Sequence, residues 1–498
     1  MRCAGPIPGA PLHTYAILSC EATERLCYYG VRAVLVLFLL SLGFSEAQAI
    51  ALNSYWIALC YLSPLLGAVL SDGLLGRYTT ILAFTLLYVA GMALLAVGAQ
   101  AASGGLAAGG LALVALAAGG IKPCVGPFGA DQLPEAQRTG ASYWLLFYVC
   151  INLGSLASYA LVPLLRARYG FGGALALPAA SMALSALIFV APSARYTRVA
   201  PAGSALVGVA RALAAAARGR GRPAVVDAEG AAASESEASP LVRSAAAAST
   251  PAAAPTPTAL PPDSWLARAR GAPGVTEADL AAAAALQRLL PFFALLPFFW
   301  AVYDSHASIT LLQARRMGLC LGARGGSACL TPDQVAVLNP LLVVALVPLI
   351  DALVLPPLLA LPRAHWAHPT PLRRMSLGMF LATLSFALTA GVQQAIDGGA
   401  ALHVAVQLPQ YVALALAEIG VSATGLEFFF GEAPREAKSV VLALFFLTTF
   451  AGDLLNGVLY SAAGGLGVGA LVWVVTGLCA AASVAFALLA ARYSSASK

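Results

Sequence analysis

The sequence predicts an all-α membrane protein with twelve transmembrane helices, in two six-helix bundles, and with both termini in the cytoplasm. Three observations support this prediction. First, 60% of the 498 residues are hydrophobic and only 10% are charged, whereas soluble domains carry about 25% charged residues. Second, twelve stretches reach the length of about 20 mostly apolar residues that a spanning helix needs. Third, one long interruption divides these stretches into six and six.

The composition also excludes several classes of protein. The net charge of +6 comes from 28 basic and 22 acidic residues spread thinly along the chain, so no strongly basic surface is available for nucleic acid. The apolar fraction is too high for a disordered chain, and nine cysteines are too few for a disulfide scaffold.

Each of the first six predicted spans is a mostly apolar run long enough to cross a bilayer. They cover residues 15–42, 48–71, 78–98, 104–127, 140–165 and 171–192. Within span four, Pro123 follows closely on Gly119 and Gly120. We therefore expect this helix to break or bend at the proline.

The interruption, residues 195–285, is predicted to be a cytoplasmic linker between two domains, residues 1–194 and 286–498. Its middle, SESEASPLVRSAAAASTPAAAPTPTALPPD, has too few large apolar side chains to fold and is expected to be disordered. Its edges favour helices. The segment ALVGVARALAAAARGR is suited to a membrane surface, and Thr276 with Asp279 predicts the cap of the helix that leads into span seven.

Six further apolar runs follow the linker. They cover residues 286–313, 333–360, 372–396, 403–431, 437–463 and 465–491. Six spans on each side of a cytoplasmic linker are typical of a two-bundle secondary transporter, whose substrate site lies between the halves near the middle of the membrane.

The basic residues predict the orientation. With a cytoplasmic N-terminus, 19 of the 28 lie on the cytoplasmic side and five lie outside, and the remaining four are in or at the edge of spans. Without the linker the ratio is ten to five. Because cytoplasmic loops are enriched in Lys and Arg, both termini and the linker are placed inside.

Span one carries Glu21, Glu24, Arg25 and Arg32, together with Tyr28, on one face. At 100° per residue these five side chains fall within a stripe about 100° wide. An ionisable residue in a span costs roughly 2.5 to 3.5 kcal/mol on insertion scales. The stripe is therefore expected to face the bundle interior, either as part of a functional site or as an ion-pair cluster that only locks helices together.

Other spans carry one or two ionisable residues, among them Lys122, Asp304 and Glu418, and Glu427 lies nearer the cytoplasmic end of span ten. The deep acidic residues then outnumber the three deep basic ones, so at least one carboxylate lacks a full partner. Burial without a countercharge favours the protonated carboxyl group. Such a group is suited to proton coupling.

The same residues describe a ligand. The three deep basic residues are suited to pair with a carboxylate, and Glu418 with an ammonium group. The amides of Asn152 and Asn339 provide the donors and acceptors that a peptide bond needs. A small zwitterion is the implied substrate. The walls of its cavity are expected to include the aromatic residues Tyr28, Tyr29, Tyr61 and Trp300.

At these residues the sequence resembles the proton-coupled oligopeptide transporter (POT/PTR) family of the major facilitator superfamily. EATERLCYYG, residues 21–30, is similar to the family signature ExxERFxYYG and departs from it at Leu26. ALCYLSPLLGAVLSDGLLGR, GGIKPCVGPFGADQ and FYVCINLGS resemble three further stretches of the first half. FFWAVYDSHAS, LNPLLVVALVP and LPQYVALALAEIGVSATGLEF resemble spans seven, eight and ten.

The resemblance implies the major facilitator fold and a proton-coupling role for five residues. Glu21, Glu24 and Arg25 are expected to form a proton-responsive cluster with Lys122. Asp304 is expected to take part in coupling and to form an ion pair with Arg32. This pair is expected to join the two bundles on the outer side and to break and re-form during transport.

It also implies a substrate site. Glu418 is expected to receive the amino terminus of the substrate, assisted by Asn152, Asn339 and Ser422. The carboxylate of the substrate is expected to face the three deep basic residues, which are Arg25, Arg32 and Lys122.

The function implied is proton-coupled symport of di- and tripeptides by alternating access, with protons as the coupling ion and no other cofactor. The expected partners are the peptide and the lipid bilayer, without nucleic acid, and the transport unit is expected to be a monomer. The plasma membrane and the endolysosomal or vacuolar membrane are both compatible locations. Cys320 and Cys329, nine residues apart in a predicted outer loop, are candidates for a disulfide.

Other functions stay open. Animal members carry a His in span two where this chain has Ser54, so proton coupling is expected to fall on carboxylates. The same fold could carry histidine, another amino acid or nitrate, or could serve as a nutrient sensor without transport. An enzyme is not expected, because the five histidines are scattered and no HExxH motif occurs.

Overall fold

The computed structural model describes residues 7, 10–134, 141–201, 203–219, 264–320, 329–362, 365, 367–433, 438–462 and 465–496. The part of the linker that is predicted to be disordered lies outside the described residues.

The described residues form helices joined by short turns. The helices of the first half are α1 (Leu12–Ser41), α2 (Glu46–Leu70), α3 (Arg77–Gln100), α4 (Gly104–Ile121), α5 (Val125–Asp131) and α6 (Ala141–Val190). The linker contributes α7 (Ala205–Ala217). The helices that follow are α8 (Glu277–Phe293), α9 (Leu296–Ala314), α10 (Leu338–Leu349), α11 (Leu355–Leu359), α12 (Pro371–Asp397), α13 (Leu408–Glu418), α14 (Thr424–Glu432), α15 (Lys438–Ala462) and α16 (Val468–Ala496).

Many of these helices can cross a membrane. Within the described part of the chain, nine helical segments are long and apolar enough, and α8 with α9 makes a tenth if the two count as one span. Large apolar side chains such as Leu187, Leu377 and Leu488 remain exposed on α6, α12 and α16, as expected of surfaces that face lipid. The chain is a multi-pass membrane protein.

Contacts divide the chain into two compact units. One unit consists of Met1–Ser204, Pro291–Phe428 and Leu442–Lys498, and the other of Ala205–Leu290 and Phe429–Val441. The first unit has aromatic side chains in its core, including Tyr88, Phe128 and Phe386. In the second unit, Arg211 donates a hydrogen bond of 2.8 Å to the carbonyl oxygen of Gly274, which ties α7 to the segment before α8.

Local sequence sets several helix boundaries. The Thr276 hydroxyl accepts a hydrogen bond of 3.1 Å from the backbone N–H of Asp279, whose carboxylate accepts one of 2.9 Å from the backbone N–H of Thr276. The predicted cap of α8 is therefore confirmed. Span seven was expected as one continuous helix, but the structure interrupts it between Phe293 and Leu296. A proline lies on each side of this interruption, at 291 and 297, and each removes a backbone donor.

Two glycine-containing helices, α2 and α4, pack backbone against backbone. A Cβ atom on Gly119 would lie 2.3 Å from the carbonyl carbon of Ser63, and one on Gly67 would lie 2.1 Å from the carbonyl oxygen of Gly119. Small residues at helix interfaces allow this approach in membranes. α4 then ends at Ile121, where the Lys-Pro pair predicts a break, so the close contact fixes the position from which Lys122 extends.

We expect Gly119→Ala to destabilise the protein, because the added methyl group overlaps the backbone of α2. Overpacking typically costs about 1 to 3 kcal/mol, which should lower the midpoint of thermal unfolding in detergent. Gly105→Ala on the same helix is the control, since a Cβ there meets no atom within 4 Å. Equal unfolding temperatures for the two variants would contradict the close packing.

Candidate functional site

The charged stripe of α1 lies inside the first unit. Glu21, Glu24 and Arg25 are 4%, 1% and 7% exposed. Arg25 Nε lies 3.1 Å from Glu21 Oε1, and the same guanidinium forms an ion pair with Glu24. Glu24 Oε1 has no hydrogen-bond partner among the described residues. Two acids therefore share one fixed cation, so binding of a single proton changes the net charge of this buried cluster.

Lys122 supplies a second positive charge beside this cluster. Its ammonium group lies 4.2 Å from the ring centroid of Tyr28 and 3.9 Å from that of Tyr61, within the range of cation–π contacts. It has no hydrogen-bond acceptor among the described residues, but it interacts electrostatically with Glu24 and Arg25. The ring faces hold the charge without a fixed partner, so the ammonium group can respond to the charge on Glu24.

An ion pair joins the first-half and second-half helices. Arg32 Nη2 on α1 lies 2.9 Å from Asp304 Oδ1 on α9, and the two side chains are 8% and 2% exposed. Next to it, Asn53 on α2 donates a hydrogen bond of 3.2 Å to Ser308 on α9. The structure thus brings together the two residues that the resemblance pairs.

A further buried acid lies on α15, a helix that packs against α9: a Cβ on Gly452 would meet Ala301, and Asn456 donates a hydrogen bond of 2.7 Å to the carbonyl oxygen of Ala301. Asp453 on α15 is fully buried, and neither of its carboxyl oxygens has a hydrogen-bond partner among the described residues. The sequence analysis did not single out Asp453. The signal was present, because the residue is a lone acid in an apolar span, and such residues need a functional explanation.

A cavity of about 650 Å³, part of which is open to solvent, lies between the first-half and second-half helices. The residues that line it are Tyr29, Arg32, Tyr148, Ile151, Asn152, Ser155, Tyr159, Tyr303, His306, Ala307, Ala336, Asn339, Pro340, Val343, Tyr411, Leu414 and Glu418.

The polar side chains of the second-half wall form a network. Asn339 donates a hydrogen bond of 3.0 Å to Glu418 Oε2 and lies 3.4 Å from the Tyr303 hydroxyl. His306 packs edge-on against Tyr411 with 4.9 Å between the ring centroids. Neither ring nitrogen of His306 has a hydrogen-bond partner among the described residues. The cavity thus combines the Glu418 carboxylate, an amide and aromatic rings on one wall.

The predicted substrate-binding residues fall into two sets in this conformation. Five of them line the cavity: Tyr29, Arg32, Asn152, Asn339 and Glu418. The residues named for that cavity do not include Arg25, Tyr28, Tyr61, Lys122, Trp300 or Ser422. Most residues of this second set contact other side chains of the protein. For example, Trp300 Nε1 donates a hydrogen bond of 3.0 Å to Thr448.

Five aromatic residues of the wall were not among the predicted substrate-binding residues. They are Tyr148, Tyr159, Tyr303, His306 and Tyr411. Helical spacing could have found several of them. On α6, residues 148, 152, 155 and 159 repeat every three or four positions, so they share one face with Asn152. Similarly, Tyr411 lies seven residues before Glu418 on α13.

Two further ion-pair groups join the halves. Asp333 is fully buried and accepts hydrogen bonds of 2.6 and 2.9 Å from the Arg166 guanidinium. Arg316 lies 3.2 Å from Glu46 and 3.1 Å from Asp397. In the predicted topology, both groups lie on the outer side, together with the Arg32–Asp304 pair.

We expect Asp333→Ala to separate the outer ends of the two halves. Breaking a buried ion pair typically costs about 3 to 5 kcal/mol, because the remaining charge is left uncompensated. Spin labels on the outer ends of α1 and α9 should then report longer distances in pulsed electron resonance.

The charge-swapped double variant, Arg166→Asp with Asp333→Arg, is the control and should restore the shorter distances. If the distances in Asp333→Ala equal those of the unsubstituted protein, the pair does not hold the halves together.

Apolar helices around a polar cavity, with buried ion pairs between the two halves of the chain, define the class of secondary membrane transporters. Sequence comparison gives the family. The sequence profile of PTR2, the POT family, matches residues 78–465. The chain belongs to the POT family, which consists of transporters rather than enzymes, and the resemblance is confirmed.

Individual relatives agree. Peptide transporter family 1 of Drosophila melanogaster is 35% identical over 412 residues, which is 80% of this chain and 49% of the relative. Solute carrier family 15 member 1 of Homo sapiens is 31% identical over 78% of this chain and 53% of its own length. The chain thus spans about half the length of these relatives.

Two solved structures cover nearly the whole chain. An auto-inhibited POT family peptide transporter shares 30% identity with a TM-score of 0.75 over 97% of both chains. The POT family transporter PepTSo shares 27% identity with a TM-score of 0.77 over 98% of this chain and 99% of its own.

Proposed function

We propose that this protein is a proton-coupled symporter of di- and tripeptides that works by alternating access. One observation carries the proposal: the same cavity is lined by a basic residue of the first half, Arg32 on α1, and by an acidic residue of the second half, Glu418 on α13. A small zwitterion complements this arrangement, because each of its ends meets the opposite charge. Two of the similar proteins, Peptide transporter family 1 of Drosophila melanogaster and the auto-inhibited POT family peptide transporter, have names that support the same substrate class.

In this proposal Glu418 receives the amino terminus of the peptide, and Asn339 and Asn152 pair with the peptide bond. Arg32 faces the peptide carboxylate. Arg25 and Lys122 act behind the cavity wall as part of the proton-responsive cluster. Ser422 and the aromatic residues Tyr28, Tyr61 and Trp300 surround the cavity, and we propose that they move when the cavity closes around the peptide.

Proton binding and ion pairing are then linked. A proton on Glu21 or Glu24 weakens the hold of these acids on Arg25 and alters the field at Lys122, because the cluster loses one negative charge. In this proposal the ion pairs between the halves, Arg32–Asp304 and Arg166–Asp333, keep the outer side closed. Alternating access requires that these pairs break and that the inner side closes.

We also propose the predicted topology: twelve spans in two bundles, residues 1–194 and 286–498, joined by a cytoplasmic linker, with both termini inside. Ten candidate spans in the described residues include α8 with α9 as one span. The total becomes twelve if α1 is also counted and if α6 is divided at Gly170, where the backbone φ of +71° interrupts the helix. Labelling of a terminal cysteine by an impermeant reagent in intact cells would contradict this orientation. We propose that the protein transports its substrate as a monomer, in the plasma membrane or in an endolysosomal or vacuolar membrane.

Reconstitution tests the function. The purified protein is placed in liposomes with an acidic exterior, and uptake of labelled dipeptide is compared with that of nitrate, histidine and other free amino acids. Dipeptide accumulation above equilibrium, abolished by a protonophore, is the expected result. Accumulation of another solute without dipeptide would overturn the substrate, and dipeptide binding without uptake would indicate a sensor.

A further inference from the structure

His306 on α9 is a cavity residue for which the proposed mechanism has no role so far. It lines the cavity together with Tyr303 and Ala307, because residues three and four positions apart share one face of a helix. The residue is fully buried, and neither of its ring nitrogens has a hydrogen-bond partner among the described residues. A buried polar group without a partner costs free energy, so the position of this imidazole needs an explanation.

The aromatic neighbour of His306 does not supply the missing partner. Tyr411 on α13 packs edge-on against the imidazole, with 4.9 Å between the ring centroids. Thr310 donates its only hydroxyl proton to backbone carbonyl oxygens, that of His306 at 2.8 Å. The Tyr411 hydroxyl, 2.8 Å from the Thr310 oxygen, is therefore the donor of that contact. Its proton is engaged there, while its ring fixes the position of the imidazole.

The two helices give the position of His306 relative to Glu418. Tyr411 lies seven residues before Glu418 on α13, which is about 10 Å at the helical rise. On α9, Tyr303 contacts Asn339 at 3.4 Å and lies one turn, about 5 Å, before His306. In the proposed function Glu418 holds the amino terminus, and consecutive Cα atoms of a peptide are about 3.8 Å apart. The side chain of the second residue then comes level with the imidazole.

A neutral imidazole presents one N–H donor and one acceptor. A hydroxyl or a carboxamide group complements both, because each of these groups donates and accepts. A charged side chain would find Arg32 and Glu418 already paired with the ends of the peptide. We propose that His306 is a specificity-determining residue, whose ring nitrogens bind a hydroxyl or carboxamide group on the second residue of the substrate. This inference rests on the proposed transport function.

Selectivity at such a subsite comes from hydrogen bonds rather than from size. Cavity water can pair with the ring nitrogens before the substrate binds. An apolar side chain displaces that water without replacing its hydrogen bonds, and this loses affinity. The loss amounts to roughly tenfold for one neutral hydrogen bond. Alternating access changes the shape of the cavity, and this change brings the substrate to the buried ring.

Calorimetric binding of dipeptides to the purified protein tests the subsite. Threonine and valine have nearly the same shape, so Ala-Thr should bind roughly tenfold more tightly than Ala-Val. Ala-Gln should likewise bind more tightly than Ala-Met. Equal affinities within both pairs would overturn the inference, as would tighter binding of Ala-Glu than of Ala-Gln. Binding of none of these dipeptides would instead overturn the substrate class of the proposed function, and the subsite with it.

Three variants assign the preference to one side chain. His306→Phe keeps a ring beside Tyr411 without the nitrogens, so Ala-Thr should fall to the affinity of Ala-Val, which should not change. His306→Gln keeps a donor and an acceptor and should retain the preference. His13→Phe is the matched control and should bind as the unsubstituted protein does, since His13 packs edge-on against Tyr196 at 5.7 Å and is not among the cavity residues. Equal weakening of both dipeptides in His306→Phe would indicate a packing role and overturn the inference.

Discussion

Replacing Glu24 with glutamine is expected to abolish proton-driven peptide uptake while leaving peptide exchange measurable. Glu24 is 1% exposed and shares the Arg25 guanidinium with Glu21. Glutamine has nearly the same shape but cannot bind or release a proton. The charge at position 24 then no longer follows pH, so a proton gradient has nothing to act on at this position.

The measurement uses liposomes that contain the variant. With an imposed gradient, uptake of labelled dipeptide should fall to the level of protein-free liposomes. With unlabelled dipeptide inside and no gradient, counterflow of labelled dipeptide should persist, because exchange needs no net proton movement.

Glu277→Gln is the matched control for this experiment. It makes the same chemical change at an exposed acid whose side chain is 68% accessible and which pairs with Arg270 at the surface. Exposed pairs of this kind contribute little, so uptake should equal that of the unsubstituted protein. Gradient-driven accumulation by Glu24→Gln would show that coupling occurs elsewhere.

The second large effect is expected from Glu418→Gln, which should weaken binding of peptides with a free amino terminus. The carboxylate faces the cavity and is oriented by Asn339 at 3.0 Å. Removing one partner of a desolvated charge pair costs roughly 2 kcal/mol or more, which corresponds to about a 30-fold loss of affinity. Peptides with an acetylated amino terminus carry no such charge and should lose little.

Competition against a labelled dipeptide measures both classes of ligand in the same preparation. Glu427→Gln is the matched control, since Glu427 lies one helix further on, pairs with Arg374 at 2.9 Å and has a side chain that is 63% exposed. Equal losses for free and acetylated peptides in Glu418→Gln would place the amine of the substrate at another residue.

Contacts within one helix were the most predictable part of the site. The 3.6-residue repeat alone places Glu21, Arg25 and Tyr28 on one face of α1, and the structure finds that face buried with Arg25 and Glu21 paired. The break at Lys122 also follows from its neighbours in sequence, because proline removes a backbone donor.

Contacts between helices depended on packing that the sequence does not express directly. The Arg32–Asp304 pair could be expected only from the resemblance, since no periodicity relates α1 to α9. The partners of Lys122 turned out to be aromatic rings. Arg166 was visible only as a basic residue outside the spans, and its buried partner Asp333 lies 167 positions away in the chain.

Fold class followed from composition, whereas interruptions of single spans did not. Span seven was expected to be continuous because hydropathy averages over the prolines at 291 and 297. The structure shows that these prolines end one helix and begin the next. Asp453 was missed for a related reason, since one acid barely lowers the mean hydropathy of a long apolar run.

The segment between α9 and α10 contains a disulfide, a bond that depends on the redox conditions of the surrounding compartment. Cys320 and Cys329 form a disulfide, as their spacing allowed. Such bonds persist on the cell surface and in the lumen of secretory organelles, and they are rare where glutathione keeps thiols reduced. The disulfide therefore supports the proposed orientation, in which this loop lies opposite the cytosol, by an argument unrelated to the count of basic residues.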